Sequence, residues 1–474
     1  MAIFIGLDIG TTQIKVVAIN EQYEILQQES MLTPVDNDSY GRVHDATRLV
    51  QSCQSIVRKV LQGLNRSQVK AISVASVGEE GFFLDVSGKV LYPSIVWFEQ
   101  RRGSSCDKWI REHPDARLRT GLALKPSYSL FKWLWLSDTF PNVLKQAAKW
   151  ISISDYIGFV LSGTLCTSFS QATRTYVFEP FTRSWIYPWI DDVFPNGTDM
   201  LPPVAATGSV IGYTTSSTGD EWGMPPDVAV VVGGHDHPIG AIGCGVKSST
   251  KILDSMGTAE LMYWPVRNLD QSASGSYLME QGYTGYPEGP YYLAAGTYSG
   301  MIIKTLCRLL GIAFDTVYHM EFTKPLNPSE LLVIPNALGG KPSFSMLSLT
   351  DDISTDEIVI GALEASAMAI KTVMEAMCAS TSDFPQIIAI GGGASKTALQ
   401  IKANVLQQPV HSTHGIEVVA FGAAKVAREA IIKGDREPLT YDTTFPDLRF
   451  KEYYEEKLSR FKANWLRIKK DGIR

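Results

Sequence analysis

Asp8, Gly10, Thr11, Thr12, Gln13 and Lys15 gather a carboxylate, two hydroxyls, an amide and an ammonium around one glycine in a single short stretch. Gly10 lets the backbone come close to a ligand, and Thr11, Thr12, Gln13 and Lys15 offer donors to phosphate oxygens. Asp8 cannot face phosphate directly, so its use there calls for a divalent cation between the two. Magnesium, held largely through its own waters, suits that place. A tight hairpin turn with no ligand would show the same residues. A second carboxylate, Asp236, stands in Gly233-Gly234-His235-Asp236-His237, directly after the run Val228-Ala229-Val230-Val231-Val232. A carboxylate flanked by glycines at the end of a central strand sits where α/β proteins bind ligands, and Asp236 is the best single candidate for a catalytic base. His235 and His237 suggest a metal site, but alternate residues of an extended segment are expected on opposite sides, and no other ligand cluster joins them.

Three further stretches add chemistry. Trp97, Glu99 and Arg101 pair an indole face with a carboxylate and a guanidinium, a set suited to a sugar's apolar ring face and hydroxyls. A solvated helix start beside a core tryptophan would read alike. Met256-Gly257-Thr258-Ala259 echoes the first turn roughly 250 residues later and suggests two related halves, each with a phosphate-facing turn. Gly391-Gly392-Gly393-Ala394-Ser395-Lys396 places three glycines at a strand-to-helix switch, where backbone N–H groups meet a ligand at the positive end of a helix. That stretch lacks both the G-x-x-x-x-G-K-[ST] and the G-x-G-x-x-G spacing, so nucleotide binding must use another geometry.

The elements that position these residues alternate in type. Strands are expected at Ile3 to Leu7, Ile14 to Ile19 and Glu24 to Met31, then a helix over Asp45 to Leu64 with Leu49, Val57, Val60 and Leu61 on one face. Val69 to Val77 reads as a buried strand ending in Gly78-Glu79-Glu80-Gly81, and Val228 to Val232 as another, followed by a small-residue helix from Pro238 to Gly245. Lys251 to Ser255 and Glu260 to Trp264 form the second hairpin. Helices follow over Ile358 to Met377, after Gly393 to Leu406, and from Phe421-Gly422-Ala423-Ala424 onward. Strand, loop, helix, strand in that order is α/β architecture. A last helix from about Lys451 carries Tyr454, Leu458, Phe461, Trp465 and Ile468 in one stripe, expected to dock on its own protein rather than a membrane.

A chain of 474 residues suits two or three domains with large cores. Its 43 basic and 49 acidic residues leave a net charge of −6, which argues against nucleic acid as a partner. The six cysteines lie too far apart for a close-spaced zinc pattern and are expected reduced and buried. No long apolar run and no basic start with a cleavage site are present, so a cytoplasmic protein without a membrane partner is expected.

Taken in order, Asp8-Ile9-Gly10-Thr11-Thr12, Trp97-Phe98-Glu99-Gln100-Arg101, Thr120-Gly121, Asp155-Tyr156, Gly234-His235-Asp236, Met256-Gly257-Thr258, Gly391-Gly392-Gly393-Ala394, and Glu417 with Phe421-Gly422-Ala423-Ala424 resemble the FGGY carbohydrate kinases, a branch of the actin-like ATPase superfamily. The resemblance covers essentially the whole chain. It implies two ribonuclease-H-like α/β domains with mixed sheets flanked by helices, 1–246 and 247–474, the second ending in a helix over 451–470. A cleft between them would hold a sugar on the first side and Mg-ATP. By the same resemblance Asp236 takes the proton of the sugar hydroxyl as it attacks the γ-phosphate, while Asp8 to Thr12 orient magnesium and phosphates. Gly257 and Thr258 would support the phosphates, Gly300 and Lys304 lie beside the nucleotide, and Gly392, Gly393, Ala394 and Thr397 match the adenosine contact. Relatives are often dimers, so a homodimer is compatible.

Departures bear on the acceptor. Gly78-Glu79-Glu80-Gly81 stands where xylulose kinases of the family have Gln-Met-His-Gly and glycerol kinases Gln-Arg-Glu. Glu99 replaces the usual Asp, His237 a frequent Gln, and Asn404 a common Asp; Gly339-Gly340-Lys341-Pro342 runs on where many relatives carry an insertion. Glu79 and Glu80 are expected to accept hydrogen bonds from hydroxyls and to repel an anion, favouring a neutral ketose or polyol over a sugar acid. Two other functions compete: an actin-like ATPase that couples hydrolysis to conformational work, and an idle sugar sensor. The first leaves Trp97, Glu99 and Arg101 without a use, and the second should have lost Asp236.

Overall fold

In the computed structural model, β1 (Ile3–Ile9) and β2 (Gln13–Asn20) form the expected antiparallel hairpin, with Ile9 opposite Ile14 and Ile3 opposite Asn20. Every residue of β1 is buried, the carboxylate Asp8 near its end included, as befits a strand in the middle of a sheet. The structure describes residues 1–122, 124–194, 197–257, 259–266, 283–285, 291–297, 299–320, 331–338, 341–378, 384–413, 415–434 and 439–471. Thr258, Gly339 and Gly340, singled out above, lie outside them.

Contacts divide the chain into two units, one mainly of Met1–Lys247 and Gly415–Leu439, the other mainly of Ser248–Pro265, Leu293–His414 and Thr440–Arg474. The first unit carries β3 (Ile25–Leu32), β4 (Val69–Ser76), β5 (Val210–Tyr213) and β6 (Ala229–His235) beside the hairpin, in the order β5-β6-β4-β1-β2-β3. β1 and β6 both run parallel to β4, and Ser76 pairs with Ile9 on one side and with His235 on the other. The carboxyl ends of three neighbouring strands therefore stop level. That register brings Asp8, the Gly78-Glu79-Glu80-Gly81 segment and Asp236 to one end of one sheet.

Helix α1 (Ala46–Val60) starts where Asp45 accepts a hydrogen bond from the Arg48 amide, and it packs Leu49, Cys53, Ile56 and Val57 into the core below β2 and β3. Helix α2 (Ser129–Thr139) is buried along most of its length, with Trp133 and Trp135 in a second aromatic core. Helix α3 (Ile153–Ser162) begins at the capping residue Ser152, and α4 (Asp236–Gly243) begins directly at the end of β6. All six cysteines are buried. No helix among the described residues is long and apolar enough to cross a membrane.

The second unit repeats the opening arrangement. β7 (Lys251–Met256) and β8 (Glu260–Val266) form an antiparallel hairpin, β9 (Tyr291–Thr297) follows β8, and β10 (Gln386–Ile390) runs parallel to β7 as β4 does to β1. β11 (Val410–Ser412) and β12 (Asp442–Thr444) extend the sheet beyond β10. Around it stand α5 (Ser299–Leu310), α6 (Thr355–Met377) and α7 (Lys396–Leu406). From α7, Lys402 is fully buried and bonds both Asp254 of β7 and Glu260 of β8, while Ser366 of α6 donates to Glu260. Burial alone would push the Lys402 ammonium down in pKa, but its two carboxylates hold it up. Lys402→Met leaves two buried carboxylates with no cation, so a loss of about 3–5 kcal/mol in urea unfolding is expected.

Two helices close the chain. α8 (Val418–Ile431) belongs to the first unit, although it lies far along the sequence from the rest of it, and the expected break at 246/247 does not separate it from that unit. Small residues explain the docking: a Cβ on Gly6 would fall 1.9 Å from Ala420 O and 2.2 Å from Ala424 N, and one on Gly422 would fall 2.1 Å from Ile239 O. Gly6→Ala is therefore expected to cost about 1–3 kcal/mol or more, read from the urea midpoint. α9 (Lys451–Asp471) packs Tyr454, Leu458, Phe461 and Trp465 inward, and Lys457 Nζ lies 2.6 Å from Glu364 Oε2 of α6. The apolar stripe is thus covered by the helix's own unit; the side chain of Ile468 lies outside the described residues.

Candidate active site

Asp8 sits at the end of β1, only 5% exposed, and its Oδ1 has no hydrogen-bond partner among the described residues. Burial pushes its carboxyl up to about 8; the nearby charge of Asp236 adds to this, and Lys15 opposes it. Lys15 Nζ is 2.6 Å from Glu417 Oε2, so the residue before α8 joins the turn. Trp97 Nε1 donates to Thr11 Oγ1 at 2.8 Å, and the Gly10 amide to Gln13 O at 3.0 Å. Thr12 is exposed and Gln13 half-buried. Asp8 fits a hard divalent cation: a desolvated carboxylate oxygen lacking a donor is what such an ion satisfies.

Asp236 opens α4. The His237 amide donates to its Oδ1 at 2.7 Å, and His237 Nδ1 and His235 Nε2 lie 2.6 and 3.1 Å from the same oxygen. The two histidines therefore do not point to opposite sides. Gly234 has φ +138° and the helix begins one residue after His235, so the segment is not extended there and both rings turn to Asp236. Three potential metal-ligand atoms consequently lie within 4.8 Å of one another. Burial alone would raise the Asp236 carboxyl, but His237 and His235 outweigh it and hold the group below the usual carboxylate range. His235 is brought down to about 3, chiefly by burial, and is neutral near pH 7.

The Gly78-Glu79-Glu80-Gly81 segment divides its carboxylates. Glu80 is internal: Oε1 accepts from the Trp97 amide at 2.8 Å, and Oε2 lies 3.3 Å from His44 Nε2. Glu79 pairs with Arg174, whose Nε donates to Oε1 at 2.7 Å. Glu99 receives Arg42 through its amide at 3.3 Å and Nε at 3.2 Å. Arg101 forks onto Asp38 at 2.8 and 3.0 Å and lies over the Trp135 ring. Trp97 is thus joined to the Asp8 turn, whereas Glu99 and Arg101 are spent on partners of their own. Glu417, Arg174 and Lys132 join these groups from outside the candidate stretches; of the three only Glu417 carries a sequence signal, its place ahead of the small-residue helix.

In the second unit, Gly257 is exposed in the turn after β7, with its amide 3.2 Å from Ala259 O. Gly391 and Gly393 close on the same turn: a Cβ on Gly391 would meet Met256 O at 2.7 Å, and the Gly393 amide donates to Met256 O at 2.9 Å. Gly392 is exposed, Ala394 half-buried, and Ser395 caps α7. Thr397 is buried, its hydroxyl bonded to Met320 O. Gly300 and exposed Lys304 lie on α5.

A cation-ready carboxylate and a donor-stabilised one stand at the level ends of parallel strands, and the hairpin that positions the first recurs in a second unit, so the chain is a two-unit α/β protein with a ligand-ready strand end. The sequence matches the description "FGGY family of carbohydrate kinases" in its N-terminal domain over residues 3–243 and its C-terminal domain over 311–430. The chain belongs to the FGGY family and is a carbohydrate kinase. It is 25% identical over 443 residues to a xylulose kinase of Staphylococcus epidermidis, spanning 90% of this chain and 87% of the relative. It is equally 25% identical over 446 residues to an L-fuculokinase of Escherichia coli, spanning 89% and 91%. Its fold matches the crystal structure of a xylulose kinase from Rhodospirillum rubrum with TM-score 0.85 and 21% identity, over 100% of both chains.

Proposed function

We propose that the enzyme transfers the γ-phosphoryl group of Mg-ATP to a hydroxyl of a small neutral sugar, a ketopentose or ketohexose, or of a polyol, with Asp236 as general base. The observation that carries this reading is the loading of Asp236: three nitrogen atoms approach Oδ1, while no described residue bonds Oδ2. Oδ2 is the oxygen left to receive the acceptor's proton. A carboxylate of low basicity suits the step, since the alcohol gives up its proton only as the phosphoryl group arrives. Magnesium bound by Asp8 would neutralise phosphate charge. Lys15, held by Glu417, and the hydroxyls of Thr11 and Thr12 would orient the phosphates, and exposed Gly257, Gly392 and Lys304 with half-buried Gly300 of the second unit are the nucleotide-side candidates.

The preference for a neutral acceptor rests on Glu79 alone, because Glu80 is engaged internally. The Glu79–Arg174 pair has no net charge, which suits hydroxyls better than a carboxylate. Six buried cysteines, none in a disulfide, are in keeping with a reducing, cytoplasmic setting. A coupled ADP assay with ketopentoses, ketohexoses, polyols and sugar acids tests the reading. Acceptor-stimulated ADP release is expected; release already maximal without acceptor would instead favour an ATPase.

A further inference from the structure

Glu79 is one of few non-glycine residues with a left-handed backbone, φ +66°. Such a conformation is strained for a residue with a side chain and persists where surrounding groups over-determine it. Here they do. Lys132 Nζ, fully buried, donates to Glu79 O at 2.9 Å and to Ile95 O at 3.0 Å. Arg174 sends both Nε and a terminal nitrogen to one side-chain oxygen, Oε1, and its guanidinium lies 5.1 Å from the centroid of the buried Tyr128 ring. No described residue bonds Oε2.

The same residues adjoin the base. A Cβ on Gly78 would stand 2.9 Å from Arg174 Cγ and 3.1 Å from the His235 ring, so the loop is pressed between Arg174 and the histidine that precedes Asp236. Lys132 also fixes the carbonyl of Ile95, two residues before Trp97. A residue held at its carbonyl, its backbone torsion and one carboxylate oxygen can present only the other oxygen, in one direction.

We propose that Arg174 and Lys132 are positioning residues that aim Glu79 Oε2 at a single hydroxyl of the acceptor, and that this oxygen sets acceptor specificity. The inference rests on the kinase reading above for the identity of the acceptor, but its test does not need turnover. Acceptor binding is followed through tryptophan fluorescence, since Trp97 lies in the same site, using the tightest binder among xylulose, L-fuculose, glycerol and gluconate; KM values are measured in parallel. Arg174→Gln is expected to weaken acceptor binding about 10- to 100-fold, the cost of a misplaced contact, while the ATP KM stays within about twofold. Arg174→Lys should recover part of the loss, and Glu79→Gln, which keeps the shape and loses the ion pair, should reproduce it. The double variant should be no worse than either single one, because the two act as a unit. Unchanged acceptor binding in Arg174→Gln or in Glu79→Gln, or an equal rise in the ATP KM, overturns the proposal. Weakened acceptor binding in a protein that shows no acceptor-stimulated ADP release supports the proposal and counts against the kinase chemistry instead.

Discussion

Asp236→Asn is expected to lower kcat by about 10²–10⁴, the contribution of a positioned general base, with the acceptor KM almost unchanged. Asparagine keeps the shape and can still accept from the His237 amide, which donates to Oδ1 at 2.7 Å. It cannot accept a proton as the hydroxyl attacks. The loss should therefore fall on the chemical step, visible as a slow single turnover in rapid quench with binding intact. Because His237 and His235 hold the carboxyl below its ordinary range, titration of Asp236 should not produce an acid limb between about pH 8 and pH 5. Full turnover in the variant would remove Asp236 from the mechanism.

Asp8→Asn should act in two directions at once. Activity is expected to fall by about 10²–10³, since the charge that would hold the cation against the phosphates is gone. Stability without magnesium should rise. The folded carboxyl titrates near 8, above the unfolded value near 4, so folding favours the protonated form. The wild-type protein therefore loses this contribution progressively as pH climbs from about 4 to 8, and bears the whole penalty above 8. The asparagine variant has no such slope. Urea unfolding at about pH 9 should show it more stable by about 1–3 kcal/mol, with the gap nearly closed at about pH 5. Magnesium should raise the wild-type midpoint and leave the variant's unmoved. A variant less stable than wild type at high pH, or one that still gains from magnesium, would show that Asp8 is not the cation's carboxylate.

What the sequence made legible was local. The apolar run from Ile3 to Leu7 with the turn around Gly10 announced the first hairpin, and the same spacing near Gly257 announced the second. The residues around Gly422 announced a helix, but neither its close contact with Gly6 and Ile239 nor the sheet that receives it. Long-range pairing was not legible. Arg101 meets Asp38 across 63 positions and Arg174 meets Glu79 across 95, and nothing in either segment's periodicity names a partner at that distance. The charge pattern near Trp97 suggested a sugar pocket, yet Glu99 and Arg101 are neutralised by residues brought in from other segments. For the histidines beside Asp236 the alternating rule fails for a local reason, because Gly234 turns the backbone and a helix starts at once.

The return of α8 to the first sheet has a consequence for biogenesis. On the ribosome the N-terminal half emerges long before Val418–Ile431 is translated, so Gly6 and Ile239 must wait, with their packing surface bare, for a segment made near the end of synthesis. A fragment stopped after Lys247 should accordingly be sticky and recruit holdase chaperones, and supplying the missing helix as a separate peptide should relieve it.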